Sequence, residues 1–521
     1  RQEGEAMQLN RFAYCGNGAP AATRPRLSPF RGNGRWETLD TDTLAEVCVH
    51  LDDRQLAQLS NVDRRMLKLA RIAIQRHLGL SASQWAVFDA VLHRRENVLL
   101  MGAPGTGKSF LLKILRERVR NPLVTASTAA AADKIGAITL HSALSLGLGD
   151  RPVDEIMKRL KRPHNAHGQE TINTVMNCTT LIIDEVSMLT AKLLRLAEEV
   201  LLKVRGRLPQ LVVSGDPMQL GAVAAAREGS FYDAELVQRL RPYVLLEAHR
   251  QTEDSEFLRI LNAARMGRAR EADARWLRAN FCSKVPDSAP KLFCRIYEVE
   301  RLNTEMLDAL TMPLVVMYPL TTGKIPNGTP TSSAFTVHLK VGARVLLTRN
   351  VPELVNRGLH NGSCGRVTSL SEGSATVAFD NGATVAVKKI GQDFEEHGKV
   401  VGTLTFLPLV LAWAVSVHRA QGATLDAMYV DLGKCFAAGQ AYVALSRVRE
   451  AAHAQVDNLQ LYHVNNIDRP ALNFYNRCAE RSEKRTERRA ERARVQALAL
   501  QYVDDDALEQ MMNEFEAQQP K

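Results

Sequence analysis

Asn97-Val-Leu-Leu-Met-Gly-Ala-Pro-Gly-Thr-Gly-Lys-Ser-Phe-Leu-Leu-Lys-Ile-Leu115 reads as an apolar strand, a glycine-rich turn and the opening of a helix. Glycines let the turn bring backbone N–H groups against phosphate oxygens, and the helix N-terminus that follows adds partial positive charge. Gly102, Ala103, Pro104, Gly105, Thr106, Gly107, Lys108, Ser109 and Phe110 therefore form the expected nucleotide cradle. Lys108 is placed to reach the β and γ phosphates and Ser109 to hold Mg²⁺. The eight-residue pattern between strand and helix points to a nucleoside triphosphate.

Two further apolar strands supply companions. Thr180-Leu-Ile-Ile-Asp184-Glu185 ends in two carboxylates, Asp184 positioned for Mg²⁺ through water and Glu185 for orienting an attacking water. Leu211-Val-Val-Ser-Gly-Asp216-Pro-Met-Gln219-Leu220 again delivers polar groups at its carboxyl end, the edge where open parallel sheets bind ligands. A carboxylate pair favours hydrolysis over phosphoryl transfer to a metabolite. The chain has no Asn-Lys-x-Asp guanine reader, so ATP is preferred over GTP.

At 521 residues the chain is long enough for roughly three or four domains. Lysine and arginine exceed aspartate and glutamate by ten, which suits a polyanionic partner and equally an ordinary basic protein. Eight scattered cysteines with no Cys-x-x-Cys pair argue against a zinc ribbon or a disulfide framework and for a reducing compartment. The longest apolar stretch, Phe406 to Val417, is too short to span a bilayer, contains Pro408, and reads as one buried strand.

Residues 1–37, rich in Gly, Pro, Ala and Arg, read as a flexible leader. Residues 38–79 follow with Leu44, Val47, Leu51, Leu56, Leu59, Val62 and Leu67 at helical spacing, a small helical module. Alternating strand and helix patterns over 80–250 predict a doubly wound α/β domain. A second α/β region over 251–339 and 403–475 is interrupted at 340–402 by short alternating strands and the turn signals Asn361-Gly362 and Asp380-Asn381-Gly382, which suggest a small inserted β-barrel. Residues 476–521 read as a charged helical tail, a solvated surface helix unless it meets nucleic acid.

Later stretches add Leu246-Glu-Ala-His-Arg250-Gln251, Ala412-Trp-Ala-Val-Ser-Val-His418-Arg-Ala-Gln421-Gly422-Ala-Thr424 and Ala441-Tyr-Val-Ala-Leu-Ser446-Arg447. With Thr125-Ala-Ser-Thr128, Thr139-Leu-His141-Ser142 and the nucleotide strands, this ordered series resembles the Pif-one family of superfamily-one DNA helicases, relatives of RecD. The resemblance runs from about Leu80 to Val448. It implies two RecA-like P-loop NTPase cores with ATP and Mg²⁺ between them, single-stranded or forked DNA as partner, 5′-to-3′ stepping, and a monomer on DNA. It also implies roles. Gln84 reads adenine, Arg250 and Arg447 reach the γ-phosphate, and Gln219 senses it. Ser127, Thr128, His141, His418, Gln421 and Thr424 line the single-strand track. His249 stands where the family often has tyrosine. Residues 38–79 resemble an F-box, with Asp40 where that motif has proline, which implies a ubiquitin-ligase adaptor as a partner beside the plain packing reading. An RNA or RNA–DNA helicase is the rival enzyme, since single-strand contacts do not tell whether a 2′-OH is read. The expected location is intracellular, in nucleus, mitochondrion or cytoplasm, with no membrane segment.

Overall fold

The computed structural model describes residue 75 and residues 77–499, apart from 129–130, 133–134, 148, 163–164, 248–254, 324–334, 350, 356, 360–361 and 397–398. Nearly all of the F-box-like segment 38–79 lies outside the described residues, as do Arg250 and the end of the 476–521 tail.

The first core begins with helix α1 (Ala82–Leu92), started by a reciprocal cap in which the Ser81 hydroxyl accepts from Gln84 N–H and the Gln84 amide accepts from Ser81 N–H. Strand β1 (Val98–Gly102) is buried at every residue and leads through the glycine turn into α2 (Lys108–Arg118). Strands β2 (Pro122–Ala126), β3 (Ile138–Thr139) and β4 (Thr180–Asp184), helix α3 (Ala191–Arg205), and strands β5 (Gln210–Gly215) and β6 (Arg241–Leu245) follow. The sheet order is β3-β2-β4-β5-β1-β6, with every pairing parallel. Strands β4, β5 and β1 are consecutive neighbours, so their carboxyl ends deliver Asp184, Asp216 and the glycine turn side by side.

Next come α4 (Ser255–Arg265), α5 (Glu271–Asn280), β7 (Lys291–Phe293) and α6 (Ile296–Asp308). The chain then runs through β8 (Val315–Met317), β9 (Leu320–Gly323), β10 (Val337–Leu339), β11 (Arg344–Leu347), β12 (Cys364–Ser371), β13 (Ser374–Phe379) and β14 (Thr384–Lys388). The hairpin β15 (Ile390–Glu396) and β16 (Lys399–Phe406) leads to β17 (Leu409–Leu411), β18 (Ala414–Ser416) and α7 (Val417–Ala420). Strand β19 (Met428–Asp431), α8 (Gln440–Leu445), β20 (Ala454–Asp457) and α9 (Arg469–Ala499) follow in that order.

The second core is the parallel sheet β18-β7-β19-β20, with its own buried cluster around Phe257, Ile260, Leu292, Val430 and Tyr442. The stretch read as a barrel at 340–402 forms most of an antiparallel sheet, β14-β13-β12-β11-β17, whose ladder ends at β14 and β17 and does not close among the described residues. Its core is separate, built on Val345, Leu347, Val377, Phe379 and Trp413. Sheet partners outside 340–402 enlarge the insertion: β17 completes the five-stranded sheet, and β9 pairs with the β15–β16 hairpin.

Two expectations change. Phe406 to Val417 is not one strand: Phe406 ends β16, and β17 and β18, which follow, lie in two other sheets. Pro408 supplies no N–H, and at the crossover Ala412 N–H donates to Arg344 O of the insertion while Trp413 O accepts from Lys291 N–H of the second core. The charged tail is likewise not freely solvated at its start: Cys478 is buried, the last member of a stripe that begins before the tail. Helix α9 places Ala471, Phe474, Tyr475 and Cys478, a stripe at helical spacing, in the buried cluster of the first core. Farther along, Arg485 donates to Pro242 O of β6 and lies over the Tyr243 ring. A Phe side chain so buried contributes roughly 1.5–3 kcal/mol. Among the described residues no helix is long and apolar enough to cross a membrane.

Candidate functional site: a nucleotide cleft joined to a polar track

The glycine turn has the backbone a phosphate cradle requires. Gly105 and Gly107 have φ of 85° and 80°, the left-handed region, and a Cβ at Gly102 would stand 2.6 Å from Thr106 Oγ1. Lys108 is buried, its Nζ donating to Gly102 O at 2.7 Å and Ala103 O at 3.0 Å. Burial pushes its pKa down, against the opposing pull of Asp216, Glu185 and Asp184. Gln84 is buried against the turn, with Nε2 donating to Thr106 O at 3.4 Å. Its amide oxygen accepts from Ser81 N–H at 3.0 Å. Each end of the amide keeps capacity for one more bond, which an adenine edge would use. Phe110 is exposed at the start of α2.

Ser109 Oγ donates to Asp184 Oδ2 at 3.0 Å, bringing two hard oxygen donors together at the ends of α2 and β4. Among the described residues no group of three or more His, Cys, Asp or Glu is arranged to hold a metal by itself. The Ser109 hydroxyl and Asp184 carboxylate are hard oxygen donors of the kind that suit Mg²⁺. Glu185 adopts a left-handed φ of 52°, and its N–H donates to Asp184 Oδ1. That turn separates the two carboxylates, leaving Asp184 buried beside Ser109 and aiming Glu185 elsewhere.

Glu185 meets the second core. Gln421, just beyond α7, places Nε2 3.5 Å from Glu185 Oε2 and 3.4 Å from Ser187 Oγ. Gln421, expected on the single-strand track, stands at the joint between the two cores. It is buried, because the turn after α7 packs onto the first core. The amide oxygens of Gln421 and Gln219 are both buried without a hydrogen-bond partner among the described residues. Such atoms are costly unless something polar completes them, and phosphate-bound water or cation suits both.

A second joint lies beside the first. Asp216, wholly buried at the end of β5, accepts from Arg265 Nη2 at 2.7 Å and Nε at 3.1 Å. Arg265 ends α4, so this forked pair crosses from one core to the other. Burial alone would lower the guanidinium pKa; the Asp216 carboxylate outweighs that and holds it up. Tyr475 of α9 covers the Arg265 guanidinium at 4.3 Å. Gly439, at φ 75° before α8, would bring a Cβ to 2.7 Å from Met218 O of the first core.

Other expected residues stand differently. Arg447 is 1% exposed and turned into the second core, its Nε donating to Val443 O at 2.6 Å, Nη1 to Ala423 O at 3.2 Å and Nη2 to Ser446 Oγ at 2.7 Å. These acceptors hold the Arg447 guanidinium inside the second core. Among the described residues Ser127 Oγ is buried without a partner, whereas Thr128 Oγ1 accepts from Ala131 N–H. His141 and His418 are half-buried, and burial pushes both imidazoles below their ordinary pKa. Thr424 is exposed on a cleft of about 670 Å³ between second core and insertion, lined also by Arg344, Arg366 and Arg419. Sequence reading missed Arg265 and Gly439. An arginine in an ordinary helix carries no local signal.

A family profile described as an AAA domain matches residues 79–282. The chain is similar to the ATP-dependent DNA helicase PIF1 of Danio rerio, 36% identical over 393 residues that cover 71% of this chain and 60% of that protein. Against the PIF1 of Homo sapiens it is 32% identical, covering 76% and 63%. Against the Pif1 of Bdellovibrio bacteriovorus it is 30% identical, covering 72% and 87%. The chain thus spans about three fifths of the vertebrate relatives it matches. Among solved structures, the Pif1 helicase from Candida albicans is 30% identical with a TM-score of 0.68, covering 76% of this chain and 99% of that one. The Pif1 helicase from Bacteroides in complex with ADP-AlF3 and ssDNA is 26% identical with a TM-score of 0.65, covering 77% and 97%.

Proposed function

The chain belongs to the Pif1 helicase family, and from that premise we propose that it hydrolyses ATP to move along single-stranded DNA and separate duplexes. The observation that carries this reading is the Gln421 amide against Glu185 and Ser187. It links the segment that begins at His418 to the carboxylate that would orient the attacking water. A strand seated on the second core shifts that segment, and the shift reaches Glu185 through one side chain. Hydrolysis then depends on occupancy of the track. Lys108 and the backbone N–H groups of the glycine turn bind the phosphates, while Gln84 contacts adenine. When bound with ATP, Mg²⁺ offsets the charge of the β and γ phosphates. Ser109 and Asp184 would hold it.

ATP binding draws the two cores together and hydrolysis releases them, and alternating grip on the strand becomes stepping. The Bacteroides relative, whose structure holds ADP-AlF3 and ssDNA together, supports coupling of this kind. The 5′-to-3′ direction and the preference for DNA over RNA follow the family resemblance, as do roles for Arg250 and Arg447 at the γ-phosphate. In that role Arg447 exchanges a bond inside the second core for phosphate when the cleft closes.

Forked DNA carrying either a 5′ or a 3′ single-stranded tail, and matched RNA-tailed forks, test the reading. Unwinding of the 5′-tailed DNA fork with ATP and Mg²⁺ is expected. Equal unwinding of RNA-tailed forks would move the substrate class to RNA, and an ATPase rate indifferent to either strand would remove the motor.

A further inference from the structure

Three neighbouring strands of the second core, β18, β7 and β19, run parallel, and the residues following their carboxyl ends converge on one exposed side chain. That side chain is Phe436, 53% exposed beyond β19. His418, beyond β18, lies with its ring centroid 6.3 Å away at an interplanar angle of 27°. Arg295, beyond β7, sets its guanidinium 4.7 Å from the same ring. Close by, Lys434 sits 5.0 Å from the Tyr297 ring and 3.0 Å from Glu298. Ile296 and Tyr297 are exposed as well.

The loop under Phe436 is fixed rather than loose. Gln440 is wholly buried, and its amide oxygen accepts from the N–H groups of Phe436 at 3.0 Å and Ala437 at 3.3 Å. Its Nε2 donates to Cys294 O of the strand end next door at 3.0 Å. A buried glutamine thus spends three hydrogen bonds holding an aromatic ring in water. A lone exposed phenylalanine needs no explanation. One with its backbone clamped at the ligand-binding edge of a parallel sheet, flanked by a guanidinium and an imidazole, has the make-up of a stacking platform.

We propose that Phe436, backed by Arg295 and His418, stacks a base of the bound single strand, with Arg295 and Lys434 beside the adjoining phosphates. The contact is indifferent to sequence, because every base offers a π face. This inference rests on the single-strand reading above and extends it to a residue the motif comparison does not include. It also gives the coupling segment a mechanical input. His418 opens the turn that carries Gln421, so a base arriving on the Phe436 face presses on the same turn that contacts Glu185.

The test compares two oligomers of equal length on the full chain, oligothymidylate and one with abasic sugars throughout, by equilibrium binding at one salt concentration. Phe436→Ala is expected to weaken oligothymidylate binding about tenfold and to leave the abasic oligomer within twofold. Phe436→Trp should restore the difference between the two oligomers. Equal losses on both would overturn the platform in favour of a merely structural loop. No loss on either would overturn it in favour of a different occupant, such as a protein partner. If the unsubstituted chain binds neither oligomer, the single-strand reading itself fails. If it binds both equally well, that reading stands and the platform falls.

Discussion

On the first core, the groups of the proposed nucleotide site are bonded to one another in place: Ser109 to Asp184, Lys108 to the carbonyls of its own turn, and Glu185 N–H to Asp184. On the second core, the matching groups are held back. Arg447 is tied to three acceptors inside its own domain, and Gln421 reaches Glu185 only by a contact at the long limit of a hydrogen bond. The chemistry is thus preorganised on one side and conditional on the other. The proposed motor would draw on that asymmetry. If both faces were fully engaged, hydrolysis would run without DNA, and if neither were, assembling the site would cost too much at every step.

Variants on the two faces should therefore fail differently. The largest effect belongs to the preorganised face. Lys108→Ala should lower turnover by about a thousandfold while leaving most single-strand binding, because the phosphate loses its buried cation. Glu185→Gln should lower turnover by about a hundredfold or more and keep ATP binding, trapping the protein on DNA. Single-turnover hydrolysis and nucleotide binding measured together distinguish them. Loss of ATP affinity in Glu185→Gln would put that carboxylate in the wrong role.

The joint between the faces comes next. Asp216→Asn removes one partner of a buried pair and should cost about 3–5 kcal/mol of stability by denaturant unfolding. Combining it with Arg265→Met, which removes the stranded cation, should recover a large share. If Asp216→Asn melts normally, the pair is not a fixed pivot between the cores.

Arg447 sharpens the contrast within the conditional face. Its side chain satisfies Val443 O, Ala423 O and Ser446 Oγ, so Arg447→Ala should lose about 2–4 kcal/mol of stability besides any effect on turnover. Exposed Arg449→Ala should stay within about 0.5 kcal/mol. Normal stability with slow turnover in Arg447→Ala would mean that the phosphate contact, not the internal bonds, is its main role. The smallest effect is expected at Gln421. Gln421→Ala should lower the DNA-stimulated ATPase rate about tenfold, roughly the weight of one hydrogen bond to a charged group. Its affinity for DNA, measured alongside, should fall much less. A fall in affinity equal to the fall in rate would return Gln421 to the track and break the comparison.

Much of the cleft was legible because its signals are local. A glycine turn between strand and helix needs particular backbone angles, and Gly105 and Gly107 show them in the residues themselves. Strand ends carrying Asp184, Glu185 and Asp216 likewise announce an edge, since carboxylates seldom follow a fully buried strand without a task. The stretch from Phe406 to Val417 was not legible in this way. Its apolar run is equally suited to one sheet or two, and the division follows from backbone groups of Arg344 and Lys291, far away in the chain.

The sequence by itself determined the chemistry: an ATP-type phosphate cradle, a carboxylate pair for hydrolysis, and an ordered motif series that placed the chain in its family. Those properties depend on residue types at short spacing, which the covalent chain fixes. Only the tertiary structure decided which of those residues meet. It turned Arg447 inward, set Gln421 against Glu185, paired Asp216 with Arg265, and folded helix α9 back so that Tyr475 covers that pair. Each of these contacts, apart from Arg447's own, joins positions dozens to hundreds of residues apart. Their existence depends on how two buried cores pack, and no local pattern encodes that.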